Sequence, residues 1–200
     1  KREAETVADL HHTNIVPIFS VGCESGVNYY AMQFIEGRSL DQVGPSDEPL
    51  DPAIVADWGL QAAEALTHAH QRDVIHRDVK PSNLLLDGEG RIWLTDFGLA
   101  KRLDDVKLSM TGALLGTPRY MSPEQAAGKI DEIGPLADIY CLGATLYFIL
   151  AGQAPHIGQA DLKSTFQRIV RGKFDPPSKI RGEIPRPLQA IVMKSMRTSK

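Results

Sequence analysis

The chain has 200 residues, enough for one compact domain or little more. Its 42% hydrophobic and 24% charged residues exclude a disordered or low-complexity chain and fit an ordinary soluble globular protein. A formal charge of −3 gives no general pull toward nucleic acid or an anionic membrane, so no nucleic-acid partner is expected. Cys23 and Cys141 lie far apart without metal-ligand spacing and read as reduced core thiols of a cytoplasmic domain, not as a disulfide framework. No signal-peptide pattern opens the chain. The longest apolar run, 139–151, falls short of the roughly 20 residues that a bilayer-crossing helix needs, so it reads as a buried helix. No membrane segment is therefore expected within the chain, and an anchor outside it stays open.

Residues 1–10 carry Ala4, Val7, Ala8 and Leu10 at helical spacing and predict an amphipathic helix. The adjacent His11 and His12 splay apart with no third ligand converging on them, so no metal site is read there. Residues 16–21 and 27–34 read as two strands joined by a turn over 22–26. A polar loop over 41–50 follows, and Asp51 with Pro52 then supplies a helix cap and a first-turn proline. Ile54, Val55, Trp58, Ala62, Ala65, Leu66 and Ala69 recur at helical spacing and predict a core helix through His70. On it Trp58 reads as a packing residue, and His68 and His70 as surface or internally satisfied side chains.

Residues 83–86 and 91–94 flank the turn sequence Asp87-Gly88-Glu89-Gly90 and predict a short hairpin. Residues 99–116 lose all periodicity, and so long a loop inside a compact domain is usually functional. A buried helix opened by Asp138 and ended by Gly152 comes next, followed by helical patches at 162–170 and 188–196 between Pro/Gly-rich connections.

The chemistry concentrates around the hairpin. Asp78, Lys80, Asn83 and Asp96 place an acid, a cation, an amide and a second acid at short intervals. An acid can accept the proton of an attacking hydroxyl, and a lysine can neutralise a transferring phosphate. An amide and a carboxylate together suit Mg²⁺, which takes oxygen ligands and keeps waters and substrate phosphates. The turn brings the far ends of the two strands side by side, so Asn83 and Asp96 become neighbours in space.

His76-Arg77-Asp78-Val79-Lys80-Pro81-Ser82-Asn83, then Asp96-Phe97-Gly98, then Ser122-Pro123-Glu124 resemble the catalytic loop, metal-binding motif and Ala-Pro-Glu motif of eukaryotic-type protein kinases, in order and at family spacing. Lys80 two residues after Asp78, together with Gly116-Thr117-Pro118, resembles the serine/threonine subclass, and the wording of the motifs looks bacterial. The resemblance implies an α+β, protein-kinase-like fold: a mostly helical large lobe over 36–200 plus the end of the small β lobe over 1–35. It implies transfer of the ATP γ-phosphoryl group to protein hydroxyls, with Asp78 and Lys80 catalytic and Asn83 and Asp96 on Mg²⁺. Met32 would be the gatekeeper, Gln33 and Ile35 would meet adenine through their backbone, and Leu85 would line the same pocket. Glu3 would pair with a strand lysine that, like the Gly-rich loop, is expected before residue 1.

His76, Phe97, Glu124 and Asp138 take structural places in the same pattern, Asp138 bracing the catalytic loop from below. Arg77 marks the kinase type whose long loop is ordered by phosphorylation. Thr111 and then Ser109 are the expected sites, while Thr117 would contact Asp78 and Lys80. With both ends of the domain expected outside the chain, the 200 residues alone are expected to be inactive. Two other readings are a kinase-fold binding module without chemistry and a nucleotide-free interaction domain. The intact Asp78, Lys80, Asn83 and Asp96 speak against the first.

Overall fold

A computed structural model describes residues 9–44, 50–97, 118–157 and 161–198. Strands β1 (Ile18–Glu24) and β2 (Val27–Met32) form an antiparallel hairpin. A second antiparallel sheet takes β3 (Gly37–Ser39), β4 (Leu84–Asp87) and β5 (Ile92–Leu94) in that order. The helices are α1 (Leu40–Val43), α2 (Pro52–His70), α3 (Pro123–Ala126), α4 (Pro135–Ala151), α5 (Leu162–Val170), α6 (Pro177–Ile180) and α7 (Arg186–Ser195). Short 3₁₀ turns at Pro81–Asn83, Pro118–Tyr120 and Ile130–Glu132 complete the described elements.

Helix α4 is the spine. Tyr140, Cys141, Leu146, Tyr147, Ile149 and Leu150 are all buried in one cluster with Val55, Trp58, Leu66, Leu188 and Val192. A helix apolar on every side must be packed on every side, and α2 and α7 supply two of those faces. Gly143 permits the approach of α7, because a Cβ there would collide with the Ser195 side chain. Gly152 then ends the helix in the left-handed conformation, at φ 72°, that a glycine adopts without penalty. No helix among the described residues is long and apolar enough to cross a membrane.

The helix expected over 1–10 lies largely outside the described residues, and the other expected elements appear with shifted ends. Helix α2 starts at Pro52 under Asp51, whose carboxylate accepts from the Ala53 N–H at 2.8 Å. Helix α4 starts before Asp138 because Pro135 presets the first helical turn after Gly134. The expected polar loop at 41 opens instead with the short helix α1, nucleated by the buried Leu40. One expectation is corrected: Cys141 is a core thiol, but Cys23 is exposed on β1. Period-2 alternation does not say which face of a hairpin will be covered. Trp58 is buried, as its position in the apolar series implied.

Residues 14–16 fasten the first hairpin to the second sheet. Leu94 N–H donates to Asn14 O at 2.8 Å and Val16 N–H to Leu94 O at 3.0 Å, in a parallel bridge. The Asn14 amide donates to Ile92 O at 2.8 Å, and the Gln61 side-chain oxygen accepts from Ile92 N–H at 2.8 Å. Strand β5 is thus held from two sides just before Thr95 and Asp96.

Candidate active site

After α2 the chain turns through Asp73, at φ 57°, and runs into 74–80 without regular structure. Its path is set by one carboxylate. Asp138, fully buried on α4, accepts from His76 N–H and Arg77 N–H, each at 2.8 Å. His70 Nε2 lies 2.8 Å from the same carboxylate, which gives the buried charge a third polar partner. The sequence pattern implies Asp138 beneath the loop but leaves His70 a surface or internally satisfied side chain. The last turn of α2 carried no signal that its histidine would meet a residue so distant in sequence.

His76 is fully enclosed, and burial pushes its pKa down despite the nearby Asp138 carboxylate. Its partners assign the neutral tautomer: Nε2–H donates to Thr95 O at 2.9 Å while Nδ1 accepts from Asp78 N–H at 3.2 Å. The buried Phe97 ring lies against the imidazole, with centroids 4.5 Å apart. One histidine therefore ties the segment carrying Asp78 to the segment carrying Asp96.

Asp78, Lys80 and Asn83 form one hydrogen-bonded unit. Lys80 Nζ is 2.9 Å from Asp78 Oδ2, both side chains being partly exposed. The Asn83 amide nitrogen donates to Asp78 O at 2.9 Å and to Asp78 Oδ2 at 3.3 Å. With its nitrogen turned to Asp78, Asn83 presents its carbonyl oxygen on the other side, where Ser82 Oγ approaches at 3.4 Å. Thr95 N–H donates to Asn83 O at 3.0 Å, continuing the β4–β5 ladder by one step and setting Asp96 next to that oxygen's strand end. The two strand ends lie side by side, with Asn83 opposite Thr95 and Asp96 the next residue.

Asp96 itself is exposed, at φ 58°, and its Oδ1 accepts from the Tyr30 hydroxyl of β2 at 2.7 Å. Burial and the Asp96 carboxylate raise the Tyr30 pKa to about 12, so the phenol stays a donor. Nothing in the strand pattern singled out Tyr30. Non-glycine residues at positive φ persist where surroundings impose them, and they cluster at functional sites. Arg77, at φ 66°, is another.

The donor set suits a hard divalent cation. Asn83 and Asp96 offer an amide oxygen and a carboxylate, and no group of three or more His, Cys, Asp or Glu ligands is assembled among the described residues. Two protein oxygens without a closed cage match a cation completed by water and phosphate.

Other sequence-named residues fall around this centre. Met32 Sδ accepts from Thr95 Oγ1 at 3.5 Å, so the side chain ending β2 touches the residue before Asp96. Gln33 N–H is engaged by Pro17 O at 2.9 Å, and residues 33–36, including Ile35, carry no regular structure. Leu85 is half-buried on β4, opposite Trp93. Glu124 lies in α3, close enough to raise the Tyr140 pKa further, after burial and Cys141. Glu3, Ser109, Thr111 and Thr117 lie outside the described residues, as does Gly98.

Gln125 went unnoticed in the sequence. Ser122 and Gln125 form a capping box on α3, and the Gln125 side chain reaches on to donate to Arg77 O at 2.7 Å. The Ser-x-x-Gln spacing was a legible cap signal; the reach to residue 77 was not.

An acid, a cation and two oxygen ligands gathered at one end of a small sheet, over a helical body, are the parts that a phosphoryl-transfer protein needs. A sequence model of the protein kinase domain matches residues 1–198. A probable serine/threonine-protein kinase of Clostridium perfringens is 35% identical over 98% of the chain. Serine/threonine-protein kinase PrkC of Bacillus subtilis is 34% identical, and PknB of Mycobacterium leprae 35% identical, each over 98% of the chain. The chain belongs to the protein kinase domain family, as a domain of the serine/threonine kinase class, with the α+β fold read from its motifs. Members of that family use ATP with a divalent cation and act on proteins. The chain spans 28%, 30% and 32% of the length of these three relatives.

Proposed function

We propose that the protein carrying this chain transfers the γ-phosphoryl group of Mg·ATP to serine or threonine hydroxyls of other proteins. The observation that supports this most is the single hydrogen-bonded unit of Asp78, Lys80 and Asn83, with Asp96 one ladder step away. Asp78 orients the attacking hydroxyl and accepts its proton as the new O–P bond forms and the bond to the β–γ bridging oxygen breaks. Lys80, now paired with Asp78, is placed to turn its charge to the γ-phosphate. Asn83 and Asp96 hold Mg²⁺, which neutralises charge on the phosphates.

Met32, the backbone of Gln33 and Ile35, and Leu85 receive the adenine. Residues 33–36, between β2 of one sheet and β3 of the other, are the join between a small-lobe part over 1–35 and a large lobe over 36–200. Arg77, with the phosphorylatable Thr111 and Ser109, supplies the regulation, and Thr117 acts on Asp78 and Lys80. A domain that draws on ATP works in the cytoplasm, and a membrane anchor elsewhere in the protein is compatible with that.

The test uses the full-length protein, ATP and a generic serine/threonine protein substrate. Asp78→Asn removes the base and lowers kcat about 10²–10⁴-fold with nucleotide binding kept. Asp96→Asn abolishes Mg²⁺-dependent tightening of nucleotide binding along with turnover. Wild-type turnover in both variants would overturn the assignment.

A further inference from the structure

We infer that Gln125 is a positioning residue for phosphoryl transfer, acting on Asp78 through the Arg77–Asp78 peptide group; the inference rests on the kinase reading above. Arg77 holds a left-handed backbone at φ 66°, which an arginine keeps only when its surroundings fix both of its peptide groups. Its N–H is held by Asp138 Oδ1 at 2.8 Å, and its C=O by Gln125 Nε2 at 2.7 Å. The N–H of the next residue, Asp78, is held by His76 Nδ1 at 3.2 Å. Gln125 and His76 thus grip the two polar ends of one peptide plane, and that plane sets the direction in which the Asp78 side chain leaves the backbone.

The Gln125 amide has only one orientation available. Its Oε1 accepts from Ser122 N–H at 2.9 Å and from the Cys141 thiol at 3.5 Å, which turns Nε2 toward Arg77. Burial raises the Cys141 pKa well above its usual value, so Cys141 remains a thiol that can donate. A side chain at 125 must therefore accept at one end and donate at the other, and glutamine does both. The same side chain caps α3, so one residue ties that helix to the placement of Asp78.

Gln125→Glu separates the two roles. A carboxylate of the same shape still accepts from Ser122 N–H, so the cap survives, but it cannot donate to Arg77 O and sets oxygen against oxygen. In the full-length protein the expected result is a kcat lowered about 10- to 100-fold, the loss that a misplaced catalytic group produces. The KM for ATP stays within about 2-fold, since binding common to ground and transition states is untouched. The ratio of variant to wild-type kcat at matched pH rises as pH falls, because the protonated acid can donate again. With Asp78→Asn already present, Gln125→Glu adds no further loss, because both act through one group. Amide hydrogen exchange of the peptide covering 76–80 quickens in the variant, a readout that needs no turnover.

Unchanged kcat and exchange in Gln125→Glu would overturn the inference, as would losses that multiply with those of Asp78→Asn. Should Gln125→Glu fail to fold, Gln125→Met, of similar length and without polar atoms, is read by the same cycle and the same exchange. A wild-type protein with no turnover on any protein substrate would sink the kinase reading, while the exchange readout still decides whether Gln125 locks residue 77.

Discussion

Asp138 shows how much one side chain decides. It has no solvent contact, and it holds consecutive backbone N–H groups, of His76 and Arg77, in the one geometry that leaves Arg77 left-handed. Asp138→Asn is nearly isosteric, but its NH₂ must face one of those two donors. A charged hydrogen bond is lost and a buried N–H is left without an acceptor, at a cost of about 1.5–3 kcal/mol. Chemical denaturation should report that loss, with kcat falling alongside because Arg77 is freed to relax. A variant of unchanged midpoint would show that the loop is held by other contacts. At this scale the sequence was most legible where chemistry forces spacing. Asp78, Lys80, Asn83 and Asp96 follow one another at intervals that a single loop and hairpin impose. His70, Tyr30 and Gln125 were not legible, because each acts on a residue that only the packed fold brings near: Asp138, Asp96 and Arg77.

The hairpin of β4 and β5 is the element that makes those spacings work, and Asp87 is what shapes it. Its Oδ1 accepts from Glu89 N–H and Arg91 N–H, each at 2.9 Å, and its Oδ2 from the Trp93 indole N–H at 2.8 Å. Burial opposes its ionisation, but the Trp93 indole and the Arg91 and Glu89 amides outweigh it, and the carboxyl pKa falls below the usual range. Gly90, at φ 83°, completes a turn that most other residues would strain. The register follows: Leu84 opposite Leu94, and one step beyond it Thr95 N–H on Asn83 O. Asp87→Ala removes three hydrogen bonds at a partly solvated site and should cost about 1–2 kcal/mol. Because the turn fixes register, metal-dependent nucleotide binding should weaken more than the midpoint of unfolding suggests. Isothermal titration beside a denaturation curve checks both. The turn was legible, since Asp-Gly-Glu-Gly between apolar runs has few other uses. The strand ends were not, because pairing with β3 and residues 14–16 sets them, and neither partner shows in the local pattern.

At the scale of the molecule, two buried histidines make stability depend on pH. His156 is 1% exposed, under α4, where the Tyr140 hydroxyl meets its Nε2 at 3.0 Å and the Phe174 ring lies 5.6 Å away. Burial, and after it the charge of Arg168, push its pKa down to about 4. His76 is shifted in the same direction by burial. In the unfolded chain both rings take a proton near pH 6.5. Above that pH neither state binds the proton, and the stability is fully present. Between about 6.5 and 4 the unfolded chain binds more protons than the folded one, so stability falls as pH falls. For His156 the window is worth about 3 kcal/mol as an upper figure, at about 1.4 kcal/mol per pKa unit. His76 adds to the same slope in the same sense. The whole domain should therefore lose stability in mild acid, before its carboxylates titrate. Denaturation midpoints at pH 7, 6 and 5 would show the slope, and His156→Gln, which keeps an acceptor for Tyr140 without the titration, should flatten part of it. A His156→Gln slope equal to wild type would mean that the ring is solvated in solution and carries no such linkage.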